Sequence, residues 1–530
     1  MRIFTGPHTR MSETESAVGY EVGKSGFLRE SYRNSLNASL LFLLGASLLL
    51  TNRWFGELDD ECAIIDRAAQ PILQTVRLYL SGAGEHEHPP LYDLILHGWL
   101  QLTGGNQHLL RLPAILFYVA GAWMVARAAK QQAGSSAQTY TVLLLAFWPY
   151  GFHFGRLATW YSLCFLLVGL VTWNYFKYLE SPHLGNWCWL AGSAVVLLYS
   201  NYFAWALVGC LAIDFVIQSR KMRGKRWLGL AGTLFLLLAA YIPIGRVFLA
   251  ELQRGVQPSG HILSIFLNGI YDLYCVFVSE SIAPWFWDLG VPAAVAIGIC
   301  LPITFTVVSS QAKRFLLYFA GLLALMSLLG IANTRRMLFI SPWLILPVGI
   351  ALAQNAGQYS RRMLSAALVF IAAIGWYGIL SRELYAAPHW VEPWETIAQK
   401  EARVIREGGI VIGNNPSFFF YLTYDLPSNG NRHNFEGLLP DSTRRANVYN
   451  APQWIGSDRP LGAQTVLVKG PHFQIPSAPM DQAELELNER CALQSTERLV
   501  HDAGAELKQR FGPETGQTPW RIEILTYACR

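Results

Sequence analysis

Three acids in a row, Asp59-Asp60-Glu61, stand a few residues beyond the first long apolar run of the chain. Charge just past an apolar run is costly unless it is solvated or put to use in a site. The bland alternative is a hydrated turn or a helix start, since acids suit a helix N-terminus. Further along comes Glu85-His86-Glu87-His88-Pro89-Pro90. In an extended segment alternate side chains point the same way, so His86 and His88 are candidate metal ligands. No third ligand is identifiable, and a polar rim at a membrane surface is the alternative. The double proline ends any preceding helix and can open the next. Arg111 begins another apolar run, where an arginine can snorkel to the interface.

The elements that must hold these residues are set by composition. Of 530 residues 52% are hydrophobic and only 15% charged, and the mean hydropathy is +0.27. Soluble domains carry about 25% charged residues. Together with 18 Trp, 23 Tyr and 28 Phe, this excludes a disordered chain, a coiled coil and an ordinary soluble enzyme. Residues 1–380 hold 26 basic and 18 acidic residues, and residues 381–530 hold 15 and 18. The first part therefore reads as membrane and the tail as a soluble domain. The net charge of +5 does not point to nucleic acid, because the basic residues fall in short loops between apolar runs.

Apolar runs long enough to cross a bilayer lie near 35–51, 109–128, 137–153, 157–178, 186–201, 202–218, 228–245, 289–310, 315–332, 337–354 and 363–380. The first has no cleavage site after it and reads as an uncleaved span rather than a signal peptide. Met11 is an alternative start, with the stretch before it expendable. Residues 91–103 carry Asp93 and His97, and residues 261–280 carry Asp272 and Glu280. Both are expected to lie at the interface or dip into the protein. With eleven crossings, the basic loops around Arg127, Lys177, Arg220–Arg226, Lys313 and Arg361 all fall inside, as the positive-inside rule requires. Residues 52–108, 245–288 and 381–530 then lie outside.

The ordered fragments Asp60-Glu61, His88-Pro89-Pro90-Leu91-Tyr92 with Leu96-His97-Gly98-Trp99, and Arg111-Leu112-Pro113 resemble the membrane glycosyltransferases of the GT-C class. The likeness is to the bacterial branch related to protein mannosyltransferases, the aminoarabinose transferase of lipid A and the galacturonic acid transferases of lipopolysaccharide. Phe147-Trp148-Pro149-Tyr150, Arg156 and Tyr161-Ser162-Leu163 are similar to a family stretch reading Glu-Ala-Arg-x-Tyr. Here Ala158-Thr159-Trp160 replace the usual second arginine. Tyr199-Ser200-Asn201-Tyr202 stands where relatives have Thr-His-Tyr, and Asn333-Thr334-Arg335-Arg336-Met337-Leu338 with Pro342 resembles a late Arg-Tyr-Leu-x-Pro segment.

The resemblance implies an α-helical polytopic membrane protein of GT-C type, with about eleven transmembrane helices over 35–380 and a cytoplasmic segment over 1–34. It also implies transfer of a sugar from a polyprenyl-phosphate donor to an envelope lipid, glycan or protein, at the outer face of a bacterial inner membrane. Such a site needs a base for the acceptor hydroxyl, positive charge for the departing phosphate and an apolar groove for the lipid tail. Asp60 carries over as the base, with Asp59 its rival, and Glu61 orients the acceptor or holds Asp60 ionised. Arg335 and Arg336 are the phosphate ligands, since an Arg fork suits a phosphate, with interfacial anchoring as the alternative. Arg156 is a second phosphate candidate. His88, Arg111, Tyr161 and Asn201 are candidate substrate contacts. No cofactor is required, though His86 and His88 leave room for a divalent metal. A transporter or flippase for a lipid-linked sugar is the opposing reading, and it would call for internal symmetry around a midplane site. A scaffold for envelope assembly is a third.

The tail, 381–530, alternates helical and strand patterns and is expected to form a small α/β domain outside the membrane. Helix is expected over Glu392–Ile405, and strands over Gly409–Gly413, Gln464–Lys469 and Arg521–Tyr527. Cys62, Cys491 and Cys529 fall in the oxidising compartment by this parity. A Cys491–Cys529 disulfide is expected, with Cys491 before a helical-looking run and Cys529 after the last strand. The rivals are pairing through Cys62 and two unpaired thiols.

Overall fold

A computed structural model of the chain describes residues 13–52, 59–81, 88–219, 225–255, 262–284, 286–354, 358–382, 393–425, 447–470, 478–501 and 520–529. His86 and the basic residues 220–224 lie outside the described residues. The membrane part is helical. In chain order it runs α1 (Glu13–Leu50), α2 (Asp59–Ala69), α3 (Ile72–Ser81), α4 (Leu91–Thr103), α5 (Leu112–Ala146), α6 (Pro149–Phe154), α7 (Tyr161–Glu180), α8 (Leu184–Leu198) and α9 (Ala204–Ser219). It continues with α10 (Lys225–Tyr241), α11 (Gly245–Gly255), α12 (Ile262–Val278), α13 (Trp287–Val307), α14 (Ser310–Leu328), α15 (Met337–Ile340), α16 (Pro342–Ala353) and α17 (Gln358–Ser381).

Among the described residues six helical stretches are long and apolar enough to cross a membrane, or seven if α15 and α16 count as one bent span. The chain is a multi-pass membrane protein. Several of the eleven expected crossings take a different form. The runs at 109–128 and 137–153 do not: they fall on two helices, labelled together as α5, that meet where the backbone leaves helical geometry at Ala133 and Gly134, between the two expected spans, and the second run continues into α6. Gly134 has φ +81°, a conformation that favours glycine. The Tyr118 hydroxyl donates to the Leu145 carbonyl at 3.4 Å. A straight helix would hold residues 27 apart at roughly 40 Å, so α5 folds back and its two legs run antiparallel. The run at 337–354 is bent by 59° between α15 and α16. Pro342 opens α16 there, and its ring cannot continue the α15 ladder. The run at 157–178 begins its helix only at Tyr161, after a turn. α8 and α9 are apolar but shorter than a full span.

Polar pairs sort to the two ends of the bundle. Near the turn of α5, Lys130 pairs with Glu30 at 2.8 Å, and Arg361 of α17 donates to the Tyr140 hydroxyl. Arg314 pairs with the buried Asp214 of α9, which also accepts from the Tyr175 hydroxyl at 2.6 Å. These basic segments thus share one end. The other end carries α2, α3 and α4. Asp93 of α4 is buried and accepts from Arg67 of α2 at 3.2 Å and from the Tyr79 hydroxyl of α3 at 2.8 Å. The charge that kept 91–103 from reading as a span is therefore the clasp of a three-helix layer. α4 ends where Gly104 turns left-handed.

The tail continues with α18 (Trp394–Arg406), β1 (Ile410–Gly413), α19 (Pro416–Asp425), β2 (Val448–Asn450), β3 (Gln464–Lys469), helix Ala478–Arg490, β4 (Cys491–His501) and β5 (Trp520–Cys529). The strands form one sheet in the order β2-β1-β3-β5-β4, with β1 parallel to β2 and β3, and β5 antiparallel to β3 and β4. Alternation sends Ile410 and Ile412 to one face with Trp454 and Leu487, and Val411, Val466 and Val468 to the face that joins the main core. The segment after Cys491 is strand β4, not the helix its composition suggested. Pairing along β5 overrides local propensity there. That pairing puts Cys491 directly opposite Cys529, and the two are joined by a disulfide with Cα atoms 4.4 Å apart. Cys62 is buried and takes no part in this disulfide. α19 packs on α2, so the tail lies at the α2–α4 end.

Glu401 of α18 is buried, and burial pushes its carboxyl up from an ordinary 4.5 to about 7, with Lys400 opposing and Glu497 adding to the rise. The folded state then binds the proton more tightly than the unfolded one. Local stability falls as pH rises from about 4.5 to about 7 and stays low above that, by on the order of 3 kcal/mol. Amide exchange at Val411 and Ile412 should show this fall in the wild type and a flat profile in Glu401→Gln. Parallel profiles would remove Glu401 as its source.

Candidate functional site

Asp60 and Glu61 sit in the first turn of α2. Adjacent helical residues point about 100° apart, and the two carboxylates accordingly face different surroundings. Glu61 is fully buried. Its Oε1 accepts from Arg111 Nε at 2.9 Å and its Oε2 from Arg111 Nη2 at 2.6 Å, a bidentate pair. Oε1 also accepts from the Ala158 backbone N–H at 2.6 Å. Arg111 Nη1 donates to the Asn52 carbonyl at 2.9 Å. One ion pair thus ties the end of α1, the start of α2, the start of α5 and the turn before α7.

Two of the residues expected to meet substrate, Glu61 and Arg111, are taken up by this interior pair. Arg156 is also buried. It donates from Nε to the Phe152 carbonyl at 3.0 Å and from Nη1 to the carbonyl and hydroxyl of Thr51 at 2.6 and 3.0 Å. Its guanidinium lies 4.1 Å from the Phe152 ring centroid. That geometry makes it a strut between α1 and the α6–α7 turn. Asn201 caps a turn, its Oδ1 accepting from Phe203 N at 2.7 Å. His88 Nδ1 lies 2.9 Å from the Pro89 carbonyl and Nε2 lies 3.0 Å from Arg67 Nη2. Arginine only donates, so Nε2 accepts and Nδ1 carries the proton. A ring so engaged does not present a lone pair to a metal. Among the described residues no three His, Cys, Asp or Glu side chains group as a metal site.

Asp60 turns the other way and pairs with Arg335 across 275 positions of sequence. The Asp60 side chain is 44% exposed and that of Arg335 is 18% exposed, so the pair is open on one side. The side chain of Asp59 lies outside the described residues. Arg335 stands in a turn, Thr334–Arg336, just before α15. Asn333 caps it, its Oδ1 accepting from Arg335 N at 3.0 Å. The Thr334 hydroxyl donates to Asp272 of α12 at 3.1 Å, and the Thr334 carbonyl accepts from the Tyr150 hydroxyl at 2.6 Å. Arg336 donates to the Ile331 carbonyl at 3.3 Å and helps shape the same turn. Tyr161 and Glu280 lie close enough to Arg335 to feel its charge. The Tyr161 ring packs on Trp160 with centroids 4.2 Å apart.

Asp272, Glu280, Thr334 and Tyr150 were not singled out as site residues from sequence. The signal was present for two of them. Asp272 and Glu280 interrupt an otherwise apolar run, and acids in such a run mark used positions. Glu280 is aimed by the residue before it. α12 ends at Val278, Ser279 takes a left-handed φ of +67°, and its hydroxyl bonds His153 Nδ1 at 2.6 Å.

An apolar cavity of about 600 Å³ opens between α12, α13 and α14, lined by Phe266, Gly269, Leu273, Pro302, Phe319 and Leu323 among others. Asp272, which holds the Arg335 turn, is one helical turn from Gly269 on α12. The site therefore combines an open carboxylate–guanidinium pair, a fixed turn behind it and an apolar groove beside it.

The whole chain superposes on solved structures of ArnT from Cupriavidus metallidurans. For the undecaprenyl phosphate-bound form the TM-score is 0.51 at 14% identity, covering 93% of this chain and 97% of that one. For the apo form the TM-score is 0.52 at 14% identity, with 95% and 98% covered. The fold is of the GT-C type. Residues 87–243, from the His88 turn of this GT-C fold through α10, match the family model described as dolichyl-phosphate-mannose-protein mannosyltransferase. No curated protein matches by sequence.

The geometry separates two adjacent carboxylates by function. Glu61→Ala leaves Arg111 buried without its counter-charge, which typically costs ~3–5 kcal/mol. Purified Glu61→Ala should unfold at a clearly lower temperature than wild type, while Asp60→Asn should unfold within a degree or two of it. Equal loss in both variants would contradict the assignment.

Proposed function

We propose that the chain is a membrane glycosyltransferase that moves a sugar from a polyprenyl-phosphate donor to a hydroxyl of an envelope lipid, glycan or protein. The observation that carries this reading is the open Asp60–Arg335 pair next to the apolar groove of α12–α14. The groove suits a lipid tail, Arg335 suits the phosphate at its head, and Asp60 suits the proton of an incoming hydroxyl. The superposition on an ArnT bound to undecaprenyl phosphate supports the same class of donor. In this reading the acceptor oxygen attacks the anomeric carbon from the face opposite the phosphate, which inverts that carbon. The sugar C–O bond to phosphate breaks, polyprenyl phosphate leaves, and Asp60 takes the hydroxyl proton. Donor phosphate competes with Asp60 for the Arg335 guanidinium, and so frees the carboxylate as it binds. No cofactor enters these steps. Asp272, Thr334 and Tyr150 act as positioning residues for Arg335. A flippase would call for a polar site at the midplane, whereas the polar pairs among the described residues sort to the two ends of the bundle.

Removing a general base typically lowers turnover ~10²–10⁴-fold. Asp60→Asn is expected to fall in that range with the donor KM little changed or improved. Arg335→Ala should raise the donor KM by about tenfold to a hundredfold, the value of a charge-assisted phosphate contact. Arg336→Ala should do much less, because its guanidinium serves the turn. Purified enzyme with a synthetic polyprenyl-phosphate sugar provides the assay. Full activity in Asp60→Asn would transfer the base to Asp59, and an unchanged donor KM in Arg335→Ala would return Arg335 to anchoring.

Orientation completes the proposal, with the Asp60 end and the tail outside. A cysteine replacing the exposed Leu485 should react with a membrane-impermeant maleimide in intact cells, and one replacing Arg223 should react only after permeabilisation. The reverse pattern would put the site on the cytoplasmic face.

A further inference from the structure

A second apolar groove lies between the returning leg of α5 and the helices α16 and α17, away from the α12–α14 groove. It encloses about 530 Å³ and is lined by Tyr140, Leu144, Val348, Leu368, Ala372 and Trp376 among others. No charged residue lines it. One end is closed by the Trp376 indole N–H, which donates to the Phe147 carbonyl at 2.9 Å. The other end reaches Tyr140, six residues past the Gly134 turn, at the basic end of the bundle.

Arg361 stands at that mouth. Its guanidinium lies 5.3 Å from the Tyr140 ring centroid and donates to the Tyr140 hydroxyl. That hydroxyl accepts from the arginine, so its own proton remains for another acceptor. Arg362 follows, also exposed. Of the other cations at this end, Lys130 has Glu30 and Arg314 has Asp214, while Arg127, Lys177 and Lys313 lie over aromatic rings. Arg361 and Arg362 have no carboxylate partner among the described residues. Two uncompensated guanidinium groups and a spare hydroxyl proton therefore crown a long apolar slot. That arrangement matches one chemistry, an anionic phosphate ester carrying an acyl chain.

We infer that this groove is a binding site for one anionic phospholipid of the bilayer, with its phosphate on Arg361, Arg362 and Tyr140 and an acyl chain along α16 and α17. The site is separate from the Asp60–Arg335 centre and does not depend on the reaction proposed there. Bound lipid would pin α17 against the returning leg of α5. A zwitterionic lipid would gain the apolar part of the interaction without the charge part.

Native mass spectrometry of the full chain in detergent tests this with phosphatidylglycerol and phosphatidylcholine of matched acyl chains. Wild type should retain one phosphatidylglycerol in preference to phosphatidylcholine. Each basic side chain near an anionic lipid is worth about 1 kcal/mol, or about fivefold. The R361Q/R362Q variant should therefore lose most of that preference while still holding either lipid weakly. Ala372→Trp, which fills the slot, should lose retention of both. Equal retention of the two lipids by wild type would overturn the inference. So would a preference that survives R361Q/R362Q, or displacement of the lipid by a second copy of the chain. If Ala372→Trp fails to fold, the arginine variant decides alone. If R361Q/R362Q fails to fold, Tyr140→Phe, which removes the spare proton, must weaken the preference.

Discussion

The Glu61–Arg111 pair is the constraint on which the Asp60 end of the molecule depends. Burying both charges is tolerable only because each finds further hydrogen bonds, Glu61 from the Ala158 backbone and Arg111 to the Asn52 carbonyl. Four segments that meet nowhere in sequence are brought to one point by that requirement. The direction of Asp60 follows from it. Once Glu61 is fixed inward on the first turn of α2, helical geometry leaves Asp60 facing the Arg335 turn. The placement of the Asp60–Arg335 pair is thus set by an interior pair. The clasp of Asp93 by Arg67 and Tyr79 does the same service one layer further out, holding α2 against α3 and α4.

Much of this was legible in the sequence, and the limits have physical causes. The acid cluster, the His-Pro-Pro turn, Arg111 and the late Arg-Arg pair were all visible as residue types in order. What could not be read was which acid meets which arginine. Asp60 and Arg335 are separated by most of the membrane domain, and Glu61 and Arg111 by 50 positions. Residue identity says that a buried arginine needs a partner but not whether that partner is a protein carboxylate or a phosphate. Arg156 was read as a phosphate ligand and donates instead to Phe152 and Thr51, and Arg111 was read as a substrate contact and pairs instead with Glu61. Span boundaries suffered from a different limit. Hydropathy records how apolar a run is and not how the backbone bends inside it, so the bend at Pro342 stays hidden within its apolar stretch, whereas the fold-back at Gly134 falls between two expected spans.

The tail was read better at its centre than at its rim. β1 and β3 are short, continuous apolar runs buried on both faces, and that pattern is distinctive. β4 is largely exposed and polar, and only its partner β5 makes it a strand. Cys491 and Cys529 face each other because of that register, a long-range fact that no local pattern encodes.

The strand order carries a consequence for how the molecule is made. β5 follows the other described strands in sequence yet lies inside the sheet, between β3 and β4. Until Trp520–Cys529 are in place, β3 has one bare edge and β4 has no partner strand. The half-built sheet can neither hold the Cys491 side of the disulfide in place nor offer a finished surface behind α19 and α2. A chain cut short by even one strand would carry a complete set of membrane helices beneath an unfinished, aggregation-prone cover.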